Sequence, residues 1–189
     1  MISKQNNSLV NKCLIATPAI KDPLFAASLV YMCEHNTEGS MGLVINHQTS
    51  QILQDIFVQL DIECEDPVVR NQPVYLGGPV KLDQGFVLHH SSKAWQNTVE
   101  VSSGIQVTSS LDILESIANR SGPEDYLVIL GFSGWASGQL ESELHENSWL
   151  TSASSNELIF HQNSEDKWQM AFDTLGFDLS SLSPVSGNA

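Results

Sequence analysis

Glu34, His35 and Asn36 sit at the end of an apolar run that also holds Cys33, so thiol, imidazole, carboxylate and amide fall within four consecutive residues. A thiol beside an imidazole is how a nucleophilic cysteine is activated, because the thiolate attacks and a neighbouring cation favours its formation. Strand alternation from Leu29 places Leu29, Tyr31, Cys33 and His35 on one face and Val30, Met32 and Glu34 on the other. Side chains two apart on a strand are about 7 Å apart at Cα, which exceeds the reach of a nucleophile and its base unless the strand bends. A small buried Cys packed as a hydrophobe therefore outweighs a reactive one. Cys33 and His35 are the candidate catalytic residues, and nothing in the pattern decides whether there is catalysis.

Glu34, His35 and Asn36 also suit a binding site, offering a base, a titrating group and an amide at a strand end beside a turn. The competing account is that Asn36 shapes the turn, Glu34 is solvated and His35 makes one structural hydrogen bond. Gly77-Gly78-Pro79 allows a backbone to approach a ligand, although a tight turn explains it better. Asp83 and His89 bracket a further strand. Strands beginning near Leu29 and Phe86 must share a sheet to hide their apolar faces, which predicts that Glu34, His35, Asn36, Asp83 and His89 meet in one cleft near Gly77 and Gly78.

Other motifs fail on spacing. In Gly131-Phe132-Ser133-Gly134 the second Gly comes one place too early for a nucleophile elbow. His145-Glu146 has Trp149 where a zinc-binding HExxH needs His, and His89, His90 and His161 lack ligand spacing. Gly77-Gly78 lacks the context of a dinucleotide site or a phosphate-binding loop. Cys13, Cys33 and Cys64 are odd in number and widely spaced, as reduced thiols are. No metal and no cofactor is expected.

The formal charge is −14, from 22 acidic residues against 8 scattered basic ones. Duplex binding needs clustered Lys and Arg to neutralise phosphates, so no direct nucleic-acid partner is expected. The longest apolar stretch near the end of the fold, Tyr126 to Phe132, is far short of the roughly 20 residues of a membrane span. The first residues lack the apolar core of a secretory signal, so a cytoplasmic location is expected and no membrane partner.

The positioning elements follow from periodicity. Strands are predicted at Cys13–Ala16, Leu29–Glu34 and Leu43–Asn46, the last two joined as a hairpin through Asn36-Thr37-Glu38-Gly39. A helix carrying Ile52, Leu53, Ile56, Phe57 and Leu60 is predicted after the N-cap candidates Thr49 and Ser50, and Asp61–Gln72 reads as loop. Short strands follow at Val74–Leu76, Phe86–His89, Thr98–Val101 and Ile105–Thr108. Ser109 and Asp112 resemble a capping box opening a helix whose buried face is Leu111, Leu114, Ile117 and Ala118. Tyr126–Phe132 reads as a central strand buried on both faces. Then come a helix at Gly138–Asn147 with Leu140 and Leu144 inward, a strand at Leu158–Phe160, and a last helix from Ser164 that buries Trp168, Ala171, Phe172 and Leu175 and stops at Gly176. No repeat or linker divides the chain, so one domain over 1–189 is expected, with loose ends at about 1–10 and 180–189.

Glu34-His35-Asn36 with Gly39-Ser40-Met41-Gly42-Leu43-Val44-Ile45-Asn46, Gly77-Gly78-Pro79, Asp83-Gln84-Gly85-Phe86-Val87-Leu88-His89, Thr108-Ser109 and the run from Gly131 to Glu141 resembles the YqgE/AlgH family of bacterial proteins. The resemblance spans about Leu14 to Leu182. It implies an α+β fold in which a strongly curved mixed sheet is flanked by helices, where pattern alone reaches only a mixed α/β class. It also implies a characteristic E-H-N motif, no established biochemical activity, and in some relatives an association with transcriptional control. A small-molecule or protein-binding regulatory module is the expected function. The alternatives are a cytosolic enzyme using Cys33 or His35 and a protein-interaction adaptor.

Overall fold

The computed structural model describes residues 8–176. Strands β1 (Lys12–Ala16), β2 (Leu29–Asn36), β3 (Gly39–Val44) and β4 (Gln48–Ile52) precede helices α1 (Leu53–Gln59) and α2 (Pro67–Arg70). Strands β5 (Pro73–Leu76), β6 (Val80–His90), β7 (Thr98–Ser102) and β8 (Ile105–Thr108) lead to helix α3 (Leu111–Ala118). The chain then runs through β9 (Asp125–Ala136), α4 (Gln139–His145), β10 (Trp149–Ala153), a π-helical turn at Glu157–His161 and α5 (Ser164–Asp173). This is the α+β class, with a curled, mostly antiparallel sheet flanked by helices.

Strand β9 organises the sheet. The main order is β10-β1-β2-β3-β9-β6-β8-β7, with β4 and β5 as a branch. The first half of β9 pairs in parallel with β5, from Val128 with Val74 to Leu130 with Leu76. Its second half pairs with β3, from Ser133 with Gly42 to Ala136 with Gly39. The branch point is Gly131, whose φ of 68° is a left-handed conformation that a side chain resists. Gly77 lies against it so closely that a Cβ there would stand 2.3 Å from the Gly131 carbonyl oxygen. The Gly77 carbonyl accepts from Val44 N and from Ser133 Oγ, both at 3.0 Å, and so ties the strands together where they diverge. Gly77-Gly78 thus lets strands cross, a packing role beyond the tight turn the pattern suggested.

Three apolar clusters cover the sheet. On one face, alternate residues of the strands, among them Ile15, Tyr31, Leu43, Ile129 and Leu88, pack on Ala171 and Phe172 of α5 and on the π-helical turn. The opposite face is shared: α1 and α3 cover Val74, Val87 and Val128, while Leu140 of α4 covers Leu14, Val30, Met32, Trp135 and Trp149. Burying side chains of this size contributes about 1.5–3 kcal/mol each. No helix among the described residues is long and apolar enough to cross a membrane.

Several elements depart from the sequence expectation. Thr49 and Ser50 lie in β4, where Thr49 Oγ1 donates to Val74 O at 3.0 Å, and α1 is capped instead by Asp55, which accepts from Ile52 N at 2.8 Å. Leu158–Phe160 is part of the π-helical turn, buried against α5, and the strand in that region is β10, which completes the edge beside β1. Asp61–Gln72 contains the short helix α2, capped by Asp66. Asp112 does not close a box with Ser109; it accepts from Gln96 N at 2.9 Å, and Leu111 stays 45% exposed while Ile113 is buried. Of the predicted loose ends, most lies outside the described residues, but Leu9 packs against the cluster under α4.

Candidate functional site

The β2–β3 hairpin delivers Glu34, His35 and Asn36, and a bulge decides where they point. Met32 pairs with Gly42 and Glu34 with Met41, so Cys33 is the extra residue. Two residues opposing one shift the alternation by a step beyond the bulge. Cys33 stays on the face of Tyr31 and α5, while His35 turns to the face of α4. The expected placement of Cys33 and His35 on one strand face is thereby overturned. Cys33 Sγ donates to Tyr31 O at 3.7 Å, and burial pushes its thiol well above the ordinary range. Packing toward the core and a raised pKa both work against the thiolate that nucleophilic attack requires.

His35 is held on both ring nitrogens. Leu9 N donates to Nδ1 at 3.1 Å, which requires a lone pair there, so the proton is on Nε2 and is donated to Glu141 Oε1 at 2.8 Å. The His35 hydrogen bond holds the Glu141 carboxyl below its usual range, with the backbone N–H of Glu141 adding to this. A general base needs a free lone pair aimed at the substrate, and the lone pair here is taken. Asn36 Nδ2 donates to Glu34 Oε1 at 2.7 Å and its Oδ1 accepts from Glu38 N at 2.8 Å, so it shapes the hairpin turn. Ser137 Oγ donates to Thr37 O at 2.6 Å and joins this turn to the start of α4.

His89 lies elsewhere. His35 pairs with Ser40 and Ser40 with Trp135, whereas His89 pairs with Tyr126, nine residues away along β9. At about 3.3 Å per residue these sites are separated by roughly 30 Å of strand. The single composite cleft is therefore not formed, because long β9 is shared by two ends of the sheet. His89 is fully buried, with Nε2 2.9 Å from Thr108 Oγ1 and its ring edge-on to Trp95. Thr98 Oγ1 gives its proton to Trp95 O, so Thr108 donates to Thr98 and accepts from His89 Nε2–H. Nδ1 is left without a partner, and burial, assisted by the nearby His90, lowers the His89 pKa to about 4. Asp83 is exposed in an irregular stretch of β6 and lines a cavity of about 260 Å³ beneath α1 and α3. Gly77 and Gly78 are buried at the branch, but the residues just after them approach the hairpin: Val80 lines a cleft of about 400 Å³ with Glu34, Asn36 and Glu38.

That cleft shares Gly134 and Trp135 with a second one of about 360 Å³, lined also by Asp22, Phe25, Pro79, Gln139, Glu143 and Trp149. Here α4 supplies the organising group. Glu143 Oε2 accepts from Trp135 Nε1 at 2.9 Å and from Trp149 Nε1 at 2.8 Å, while Oε1 accepts from Gln139 Nε2 at 2.9 Å. Neither cleft has a basic residue in its wall. Sequence reasoning assigned no site role to Asp22, Phe25, Trp135 or Glu143, and met Trp149 only as the residue that breaks the HExxH spacing. The signal was that two tryptophans bracket one short helix, since a buried indole N–H must find an acceptor. No group of three or more His, Cys, Asp and Glu able to hold a metal occurs among the described residues.

The AlgH-like family description matches residues 13–180. The chain belongs to the AlgH-like family. A UPF0301 protein of Nitrosospira multiformis is 46% identical over 98% of this chain and its own full length. One from Thioalkalivibrio sulfidiphilus is 45% identical over 97% of this chain and 98% of its own. The solution structure of AlgH from Pseudomonas aeruginosa superposes with a TM-score of 0.80 at 38% identity, covering all of both chains. A Corynebacterium diphtheriae protein shares the fold at 18% identity, with a TM-score of 0.71 over 92% of this chain and 91% of its own. The fold and family that the resemblance implied are thus shown.

Proposed function

We propose that this AlgH-like protein is a binding module whose recognition surface lies where the β2–β3 hairpin, the second half of β9 and α4 converge. One observation carries the reading: both ring nitrogens of His35 and the thiol of Cys33 are committed to bonds inside the protein, while two adjoining clefts nearby are lined by carboxylates and aromatic rings. Concave sites with apolar walls and a few convergent polar groups suit ligand capture without needing a reactive residue. The acidic lining and the charge of −14 favour a cationic ligand or a basic partner surface and disfavour nucleic acid. A regulatory effect on transcription would then pass through the bound ligand or a protein partner.

The test is a metabolite-library screen by thermal shift, followed by backbone chemical-shift mapping of the hits. Saturable binding that perturbs Glu34 to Asn36 or the start of α4, without turnover, is expected. Turnover that disappears in Cys33→Ala or His35→Ala would replace the module with an enzyme.

A further inference from the structure

We propose that the cleft between Phe25, β9 and α4 is a cage for a trimethylammonium group. The inference rests on the binding reading above and gives its ligand a chemical class. The walls are aromatic and set at steep angles to one another: Trp149 is 5.9 Å from Phe25 at 85° and 6.0 Å from Trp135 at 81°, centroid to centroid. These are edge-to-face packing contacts, and the open volume is the cleft beside them, which Phe25, Trp135 and Trp149 all line. Glu143 fixes both indoles by accepting their N–H groups on one oxygen, so the rings are held in place before any ligand arrives. Such preorganisation lowers the ordering cost of binding.

The charge of the lining selects the ligand. Asp22 and Glu143 contribute carboxylates and no Lys or Arg is in the wall, so the cleft attracts a cation. Glu143 already accepts three hydrogen bonds, and one oxygen of Asp22 accepts from Leu24 N at 2.9 Å. A primary ammonium brings three N–H donors that need partners, whereas few acceptors here are free. A trimethylated ammonium has no N–H, carries a diffuse charge and binds through aromatic rings and the field of nearby carboxylates. The cleft volume of about 360 Å³ lies at the small end of ligand sites, as suits a compact head group.

The experiment titrates the protein with choline, glycine betaine, the neutral isostere 3,3-dimethylbutanol and a trimethyllysine peptide, following the indole N–H signals of Trp135 and Trp149 by NMR. Saturable shifts at both indoles with Kd of about 1 mM or tighter are expected for a trimethylammonium probe, and binding at least about tenfold weaker for the isostere. The strongest binder among the free molecules and the peptide assigns the group to a metabolite or to a partner's side chain. Asp22→Asn, which leaves the indoles and Glu143 untouched, should weaken binding several-fold at nearly unchanged melting temperature. Phe25→Ala, which also removes packing on Trp149, should weaken binding several-fold while the protein stays folded at a lower melting temperature. Equal binding of the isostere, or full binding in both variants, overturns the cage. Library hits that move the hairpin while no trimethylammonium probe moves the indoles overturn the cage alone; the absence of any hit overturns the binding reading with it.

Discussion

Trp135 and Trp149 donate their indole N–H groups to the same oxygen of Glu143, at 2.9 and 2.8 Å, although they stand at opposite ends of the α4 connection. Both indoles are nearly buried, at 6% and 4% exposure. Glu143→Ala would strand two buried donors, each at about 1–3 kcal/mol. A loss of roughly 2–4 kcal/mol in urea denaturation is expected, and Glu143→Gln, which keeps an acceptor, should lose less. A loss under about 0.5 kcal/mol in the Ala variant would mean that the indoles find other partners.

His89 makes stability depend on acid. Burial lowers its pKa from 6.5 to about 4, so between those values the unfolded chain binds a proton that the folded chain does not. Stability is therefore fully present above pH 6.5 and falls as the pH drops toward 4, by at most roughly 3 kcal/mol at 1.36 kcal/mol per pKa unit. In His89→Leu the slope of stability against pH over that window should be shallower by up to one proton. Identical slopes in the two proteins would show that His89 is protonated in the fold.

Cys33 should alkylate slowly. Its thiol is pushed up by burial and faces the core, and Cys13, fully buried, is pushed up to about 12. Cys33 and Cys64 are both half-buried, and because burial raises the pKa of the Cys33 thiol, iodoacetamide near neutral pH with mass-spectrometric readout is expected to label Cys64 ahead of Cys33. Rapid labelling of Cys33 that is lost in His35→Ala would revive the enzyme reading.

What the sequence made legible was local. The continuous apolar run from Tyr126 announced a strand buried on both faces, and β9 is that strand because α5 covers one side while α1, α3 and α4 divide the other. The hairpin was legible because Asn36 and Gly39 have the chemistry of its turn. The bulge at Cys33 was not: it comes from the partner strand's register, which no local pattern records. The same holds for the candidate site. Pairing through β9 separates His35 from His89, and a fold-level approach joins Phe25 to Trp149 across more than a hundred residues. Leu158–Phe160 has the composition of a strand, yet it turns as a π-helix because its residues pack under α5.

Lys167 is only 1% exposed, which is rare for a lysine. Its Nζ donates to Ile45 O at 3.1 Å and to Ile159 O at 2.6 Å and lies over the Tyr75 ring. It thereby joins the end of β3 to the π-helical turn and supplies a donor to two carbonyls. Burial lowers its pKa from 10.5 to about 8. Between these values the unfolded chain holds a proton that the folded chain has released, so this residue makes stability rise with pH across that window. Cys13 acts oppositely, because its raised pKa leaves the unfolded chain the easier acid above about pH 9. Wild type alone would blur the two effects, and comparison with Lys167→Met separates them. The difference in stability between the proteins should shift in favour of wild type as pH rises from 8 to 10.5, by up to about 1.4 kcal/mol per pH unit. A difference that stays constant would show that Lys167 keeps its charge in the fold, held by the two carbonyls and the Tyr75 ring.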